Sequence, residues 1–296
     1  MSEATTLPQT LIKPVPRGGY TNFVGAAFGH ALLMMLRRQR IILASVICLL
    51  PVLLPLALAF LSTSEFAADG GDYFVRLAEY LHIAVLAPLL ALFFATMLVG
   101  EDAESQTIPY VLTRPTPRSA WVIGRFLAYL LTANIILGLS MALTYGASTT
   151  LKGLGFSPAD LKLAATYLFV AFLALMGYGA FTMFLGAVSK RPIVVGVVFI
   201  YGWQKVALFV PGLISSVTIE KYIAELLPEE TTALADRAAQ SDNAEVLAAL
   251  EELRLERLTA DIKAGVTLLL IVALLIGITV FTVRFRQYAA AKAAGA

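Results

Sequence analysis

Three carboxylates, Glu101, Asp102 and Glu104, lie a few residues from Arg114 and Arg118 in the stretch VGEDAESQTIPYVLTRPTPRSAWVIGR, Val99 to Arg125. Two long apolar runs flank the stretch, and Pro109, Pro115 and Pro117 punctuate it. Glu101 and Glu104 are three apart, so a helical continuation of the preceding run would put both on one face, with Asp102 beside them. That helix must fail at Pro109, which lacks an N–H and clashes with the preceding turn. A second short helical piece over about Pro109 to Thr113 can begin there, because proline suits a first helical turn. Pro115 and Pro117 end it, and Ser119 is placed to cap the next helix. The expected product is a kinked, charged elbow around a small apolar patch of Ile108, Tyr110, Val111 and Leu112. Its chemistry is docking and the transmission of force, not bond making.

Other reactive side chains are scattered. Cys48 is the only cysteine, which excludes a disulfide framework and a multi-cysteine metal site. His30 and His82 lie far apart, each beside an apolar segment, and read as structural or solvated. No phosphate loop, H-E-x-x-H or G-x-S-x-G arrangement occurs. Work done by this chain must therefore draw its energy from another chain or from an ion gradient. Four residues within apolar runs are candidates for a pathway: Asn134, Tyr178, Gln204 and Lys205. An amide in a span needs a partner, and Tyr178 is flanked by Gly177 and Gly179, which suits a hinge, a cavity wall or close helix packing. Charges in a membrane are costly and commonly face the protein interior or water. A lysine near a broken helix end can also snorkel outward, and Arg125 is expected to snorkel from the third span.

The elements that must hold these residues are set by composition. Of 296 residues, 59% are hydrophobic and 14% charged, and the mean hydropathy is +0.81. An ordinary soluble domain is about one-quarter charged, so this is a polytopic membrane protein. A crossing helix needs about 20 apolar residues, and the runs 41–61, 81–99, 121–146, 164–188, 193–214 and 264–283 approach that length. The fifth contains GWQKVALFVPG and is expected to break and re-enter. Arg37, Arg38, Arg40, Arg114, Arg118, Lys190, Arg191, Arg284 and Arg286 fall on the side of both termini, against Arg76, Lys152 and Lys162 in the two short opposite loops. Basic residues in short loops mark the cytoplasm, which places both termini inside.

The expected division is a flexible cytoplasmic tail over 1–19, an interfacial helix over 20–40, five spans over 41–211 with the elbow at 100–118, an extracytoplasmic helical segment over 212–262, and a last span with its tail over 263–296. Residues 20–40 could instead lengthen the first span inward. Asp242 and Glu245 form a candidate capping box for an amphipathic outer helix. The fold class is all-α, with six transmembrane helices, an N-terminal interfacial helix and extracytoplasmic helices between spans five and six. In the third span Gly138, Ala142 and Gly146 form a small-residue stripe suited to close helix approach, within the chain or between subunits.

GEDAESQTIPYVLTRPTPR resembles the cytoplasmic signature of type-2 ABC transporter permeases, approximately G-E-x-x-E-S-G-T-I-x-Y-x-L-T-R-P-x-x-R. Gly100, Glu101, Glu104, Ser105, Thr107, Ile108, Tyr110, Leu112, Thr113, Arg114, Pro115 and Arg118 match, while Gln106 replaces the usual glycine. The layout of helices also resembles that family. The resemblance implies that the elbow is a coupling helix seated on a cytoplasmic ABC ATPase, with Glu101, Asp102, Glu104, Thr107, Tyr110, Arg114, Pro115 and Arg118 as the coupling residues. It implies a permease subunit, with no enzymatic activity of its own, in an ATP-driven exporter in the inner membrane of a prokaryote. This chain would hold no cofactor, with ATP on the partner subunit. A second permease copy or paralogue and the lipid bilayer complete the assembly. An extracytoplasmic protein is a further candidate partner; nucleic acid is not. Arg114 and Arg118 could instead serve only as positive-inside anchors. The competing reading is an ATP-independent secondary transporter or channel, which would require ionisable residues near the midplane of several spans.

Overall fold

The computed structural model describes residues 19–61, 69–98, 117–189, 191–203, 218–228 and 244–285. No β-strand occurs among them, and the chain is an all-α polytopic membrane protein. In chain order the helices are α1 (Tyr20–Met35), α2 (Arg38–Leu61), α3 (Gly70–Ala95), α4 (Arg118–Ser148), α5 (Pro158–Val188), α6 (Pro192–Trp203), α7 (Ile219–Leu226) and α8 (Ala244–Phe285). Five are long and apolar enough to cross a bilayer: α2, α3, α4, α5 and the Leu255–Phe285 part of α8. The expected fifth span appears as α6, which is too short to cross alone, and its continuation over 204–217 lies outside the described residues.

Local sequence explains several departures from regular helix. Pro51 and Pro55 sit inside α2, each buried, and neighbouring helices make such interruptions tolerable in a membrane. In α3, π-helical stretches over Leu77–Leu86 and Ala91–Ala95 flank Pro88. The wider i→i+5 turns let the helix pass a residue that cannot donate a hydrogen bond. The side chain of Asp69 caps the start of α3 by accepting from Gly71 N at 2.8 Å. Ser157 caps α5, accepting from Asp160 N at 3.2 Å, with Pro158 in the first turn.

Two boundaries differ from the sequence reading. α1 ends at Met35 and α2 begins at Arg38, so residues 20–40 contain one helix and the start of the next. Residues 244–285 form one unbroken helix, with no boundary at 262, because no proline interrupts this run of good helix formers. At about 1.5 Å per residue, α8 is far longer than the roughly 30 Å hydrocarbon layer.

The core sits around α5. Its most apolar stretch is 67% buried, against 22% for α2 and for α8, which are peripheral. Tyr129 of α4 lies against Gly179, where a Cβ would come within 2.1 Å of the ring, and its hydroxyl donates to Leu175 O at 2.9 Å. Gly177 faces Ile219 of α7 and Leu268 of α8. The two glycines beside Tyr178 are therefore packing positions. Thr182 of α5 donates to Ala91 O of α3 at 3.1 Å.

A second knot lies toward the Asp69 end. His82 is fully buried, with Nδ1 3.0 Å from Leu77 O, and Nε2 3.1 Å from Ser140 Oγ and 3.4 Å from Thr144 Oγ1. Ser140 in turn donates to the Cys48 carbonyl. A carbonyl only accepts, so Nδ1 carries a hydrogen; the one hydroxyl hydrogen of Ser140 goes to Cys48, so in the uncharged ring the donor to Nε2 is Thr144, whose hydroxyl also reaches the Ser140 carbonyl. This set joins α2, α3 and α4. The α4–α5 turn beyond it uses Gly153 at φ 91, where Asp69 also leaves no room for a Cβ. The small-residue stripe in α4 packs little within the chain: Ala142 and Gly146 are exposed, and only Gly138 has a neighbour, Leu168, at contact distance.

Candidate coupling site

Most of the elbow lies outside the described residues: Glu101, Asp102, Glu104, Thr107, Tyr110, Arg114 and Pro115, together with the patch from Ile108 to Leu112. Its two feet are described. One is Leu98, just beyond α3; the other is Arg118, the first residue of α4.

Both feet are held by arginines of α4. Arg118 Nη1 donates to the carbonyl of Arg284, next to the end of α8. The last four carbonyls of a helix have no partner within it, and the negative end of the helix dipole favours a cation there. Arg118 thus caps α8 from outside. Two turns further along α4, Arg125 Nη1 donates in the same way to the carbonyl of Leu98. Arg125 is only 1% exposed. Its guanidinium lies over the ring of Trp121, 4.1 Å from the centroid, and Nη2 is 3.5 Å from Nδ1 of His30 in α1.

Arg125 therefore does not snorkel, contrary to expectation. Seven residues beyond Arg118, it sits about 10 Å further along the helix. At that depth the nearest helix end and an aromatic face solvate the guanidinium better than a stretched side chain could reach headgroups. That spacing, with Trp121 one turn away and Gly124 adjacent, was the signal available in the sequence.

Gly124 explains how α1 comes so close. A Cβ there would lie 2.4 Å from Val24 O and 2.8 Å from the Ala27 Cβ. The backbones of α1 and α4 touch, and α1 packs chiefly on α4. Tyr20 of α1 also donates to Ser119 Oγ at 3.3 Å. Ala31 and Met35 are buried in the same junction. A small cavity of about 10 Å³, lined by Met34, Met35, Arg40, Phe94, Met97 and Leu98, marks where α1, α2 and α3 converge. On the other side of Leu98, Gly186 of α5 abuts the Thr96 carbonyl.

Of the four pathway candidates, Asn134 in α4 and Tyr178 in α5 lie among the described residues. Asn134 is half-buried, and one N–H of its amide donates to Leu130 O of its own helix at 2.7 Å. Tyr178 is buried within electrostatic reach of Tyr201 in α6 and Glu220 in α7. Tyr201 donates to Val85 O of α3 at 2.8 Å. Gln204 and Lys205 follow directly and lie outside the described residues. Glu220 was not singled out from the sequence, because it belongs to a short helix that composition alone assigns to the outer segment.

Residues 33–215 match the family described as ABC-2 family transporter protein. No curated protein matches the chain. The family match takes in α2 to α6, the elbow stretch and both arginines of α4. It covers more than half of the sequence, and most of the buried core lies within it. The chain belongs to the ABC-2 family of transporter proteins, as a multi-pass membrane component of an ABC transporter.

Proposed function

We propose that the protein is the permease subunit of an ATP-driven exporter and couples to a separate cytoplasmic ABC ATPase through residues 100–118. The observation that carries this reading is the position of the elbow. In a chain of this family, a run of carboxylates, prolines and arginines joins α3 to α4, and both of its feet are held by buried or helix-capping arginines. A push that reaches either foot would pass through these contacts to α1, α4 and α8. Glu101, Asp102, Glu104, Thr107, Tyr110, Arg114, Pro115 and Arg118 would form the docking surface. ATP would be bound and hydrolysed on the partner.

The basic residues of the short connections support a cytoplasmic side for the elbow and both termini, and the membrane would be the inner membrane of a prokaryote. A second permease copy or a paralogue would complete the path. Tyr178, Gln204 and Lys205, joined by Tyr201 and Glu220, are the better candidates for lining it. Asn134, which donates within α4, is the weaker one. Residues 212–262 would face outward, where an extracytoplasmic protein could dock. Reversing Arg114 and Arg118 together to glutamate tests the coupling. The double variant is expected to insert normally and to lose ATP-driven transport. Unchanged ATPase association and transport would overturn the assignment.

A further inference from the structure

We propose that Arg125 is a positioning residue that clamps α1 to the α3 foot of the elbow, so that α1 travels with the elbow as one body during the transport cycle. The inference rests on the coupling reading above.

The argument begins with what Arg125 joins. It reaches the Leu98 carbonyl at the end of α3, His30 in α1 and the Trp121 ring in its own helix, all from a site that is 1% exposed. A guanidinium is expensive to bury, and its planar fork suits several partners at fixed angles. An arginine needed only to anchor a span at the headgroups would not be enclosed. Gly124 next to it removes the one side chain that could keep α1 away, and α1 meets the α4 backbone there. Contact at Gly124 fixes the distance between α1 and α4. Arg125 then fixes both to the last turn before the elbow.

Arg118 supplies the contrast. It ties the other foot to α8, through the Arg284 carbonyl. The two arginines of α4 therefore divide the elbow's motion. Arg118 passes it to the last span, and Arg125 passes it to α1. Among the described residues, the fork of Arg125 joins the end of α3 directly to α1.

Hydrogen–deuterium exchange on the full chain in complex with its ATPase, with and without ATP, tests this. In the wild-type complex, ATP is expected to change exchange in 20–35 and in 99–116 together. In Arg125→Gln, the ATP-dependent change over 99–116 persists, while that over 20–35 falls about tenfold or vanishes. A merely structural role would instead raise exchange of α1 equally in both nucleotide states. His30→Ala, which removes one contact without stranding a buried charge, is expected to reduce the α1 response about twofold. It keeps the test usable if Arg125→Gln does not fold. An ATP response at α1 that survives either variant unchanged, or is missing from the wild type, overturns the clamp. A wild-type chain with no ATPase attached would refute the coupling reading itself, and with it the premise of the clamp.

Discussion

Two buried polar knots lie on the same helix, and they do different things. At the Ser140 level of α4, His82, Ser140 and Thr144 join α2, α3 and α4 through hydroxyl and carbonyl groups that need no net charge. At the Arg125 level, a permanently charged group joins α1, α3 and α4. The first knot holds three spans to one another along their length. The second holds helix ends, on either side of the connection through which force would enter. A bundle that needed only to stay folded could use hydroxyls at both levels. The buried charge is found where α1 meets the end of α3 and the first turns of α4, and its fork reaches more partners than a hydroxyl can.

Substitutions can break or sharpen this contrast. The largest effect is expected for Arg125→Met, which strands the Leu98 carbonyl and releases α1. A loss of about 3–5 kcal/mol is expected for breaking a buried charged set. Cys48, the only cysteine and 1% exposed, allows this to be followed with a thiol-reactive fluorogenic dye during heating. If the thiol is exposed no earlier than in wild type, Arg125 is not part of the core. Gly124→Val comes next. Its branched side chain must displace Val24 and Ala27, at a cost of about 1–3 kcal/mol, and should free α1 while leaving the Arg125–Leu98 contact in place. Protease sensitivity confined to the α1 region would match that outcome.

Ser140→Ala acts on the other knot. It removes the donor to the Cys48 carbonyl and a partner of His82, and should cost about 1 kcal/mol. The Cys48 thiol is then exposed at a lower temperature, but ATPase stimulation stays at the wild-type level. Loss of coupling in Ser140→Ala would erase the distinction between the two knots. The smallest effect on transport is expected for Gly153→Ala, where a left-handed backbone beside Asp69 is strained by about 1–2 kcal/mol. A small shift in melting with unaltered transport is the expected result.

The sequence shows the helical class, the long apolar runs and the family resemblance plainly, because a bilayer forces about 20 apolar residues into each crossing. It shows the ends less well. Polarity changes near 262 and suggests a boundary within α8, yet polarity governs burial and not backbone hydrogen bonding. The position of Arg125 suggests a headgroup anchor, because one-dimensional spacing does not reveal that the end of α3 and a glycine-permitted α1 surround it. For His82 the sequence leaves a structural and a solvated role open; burial removes the second, and its partners Ser140 and Thr144 come from a different span, so no local pattern could name them. Tyr178 was noted for its flanking glycines, and these proved to receive Ile219, Leu268 and Tyr129.

The most direct measurement is purification of the intact chain from its native membranes in mild detergent, with quantitative mass spectrometry of the bound subunits. The account predicts a stoichiometric soluble ATPase carrying a phosphate loop, retained in the wild type and active in ATP hydrolysis. A chain that purifies alone under several gentle detergents, yet still moves its cargo with an ion gradient, would contradict it.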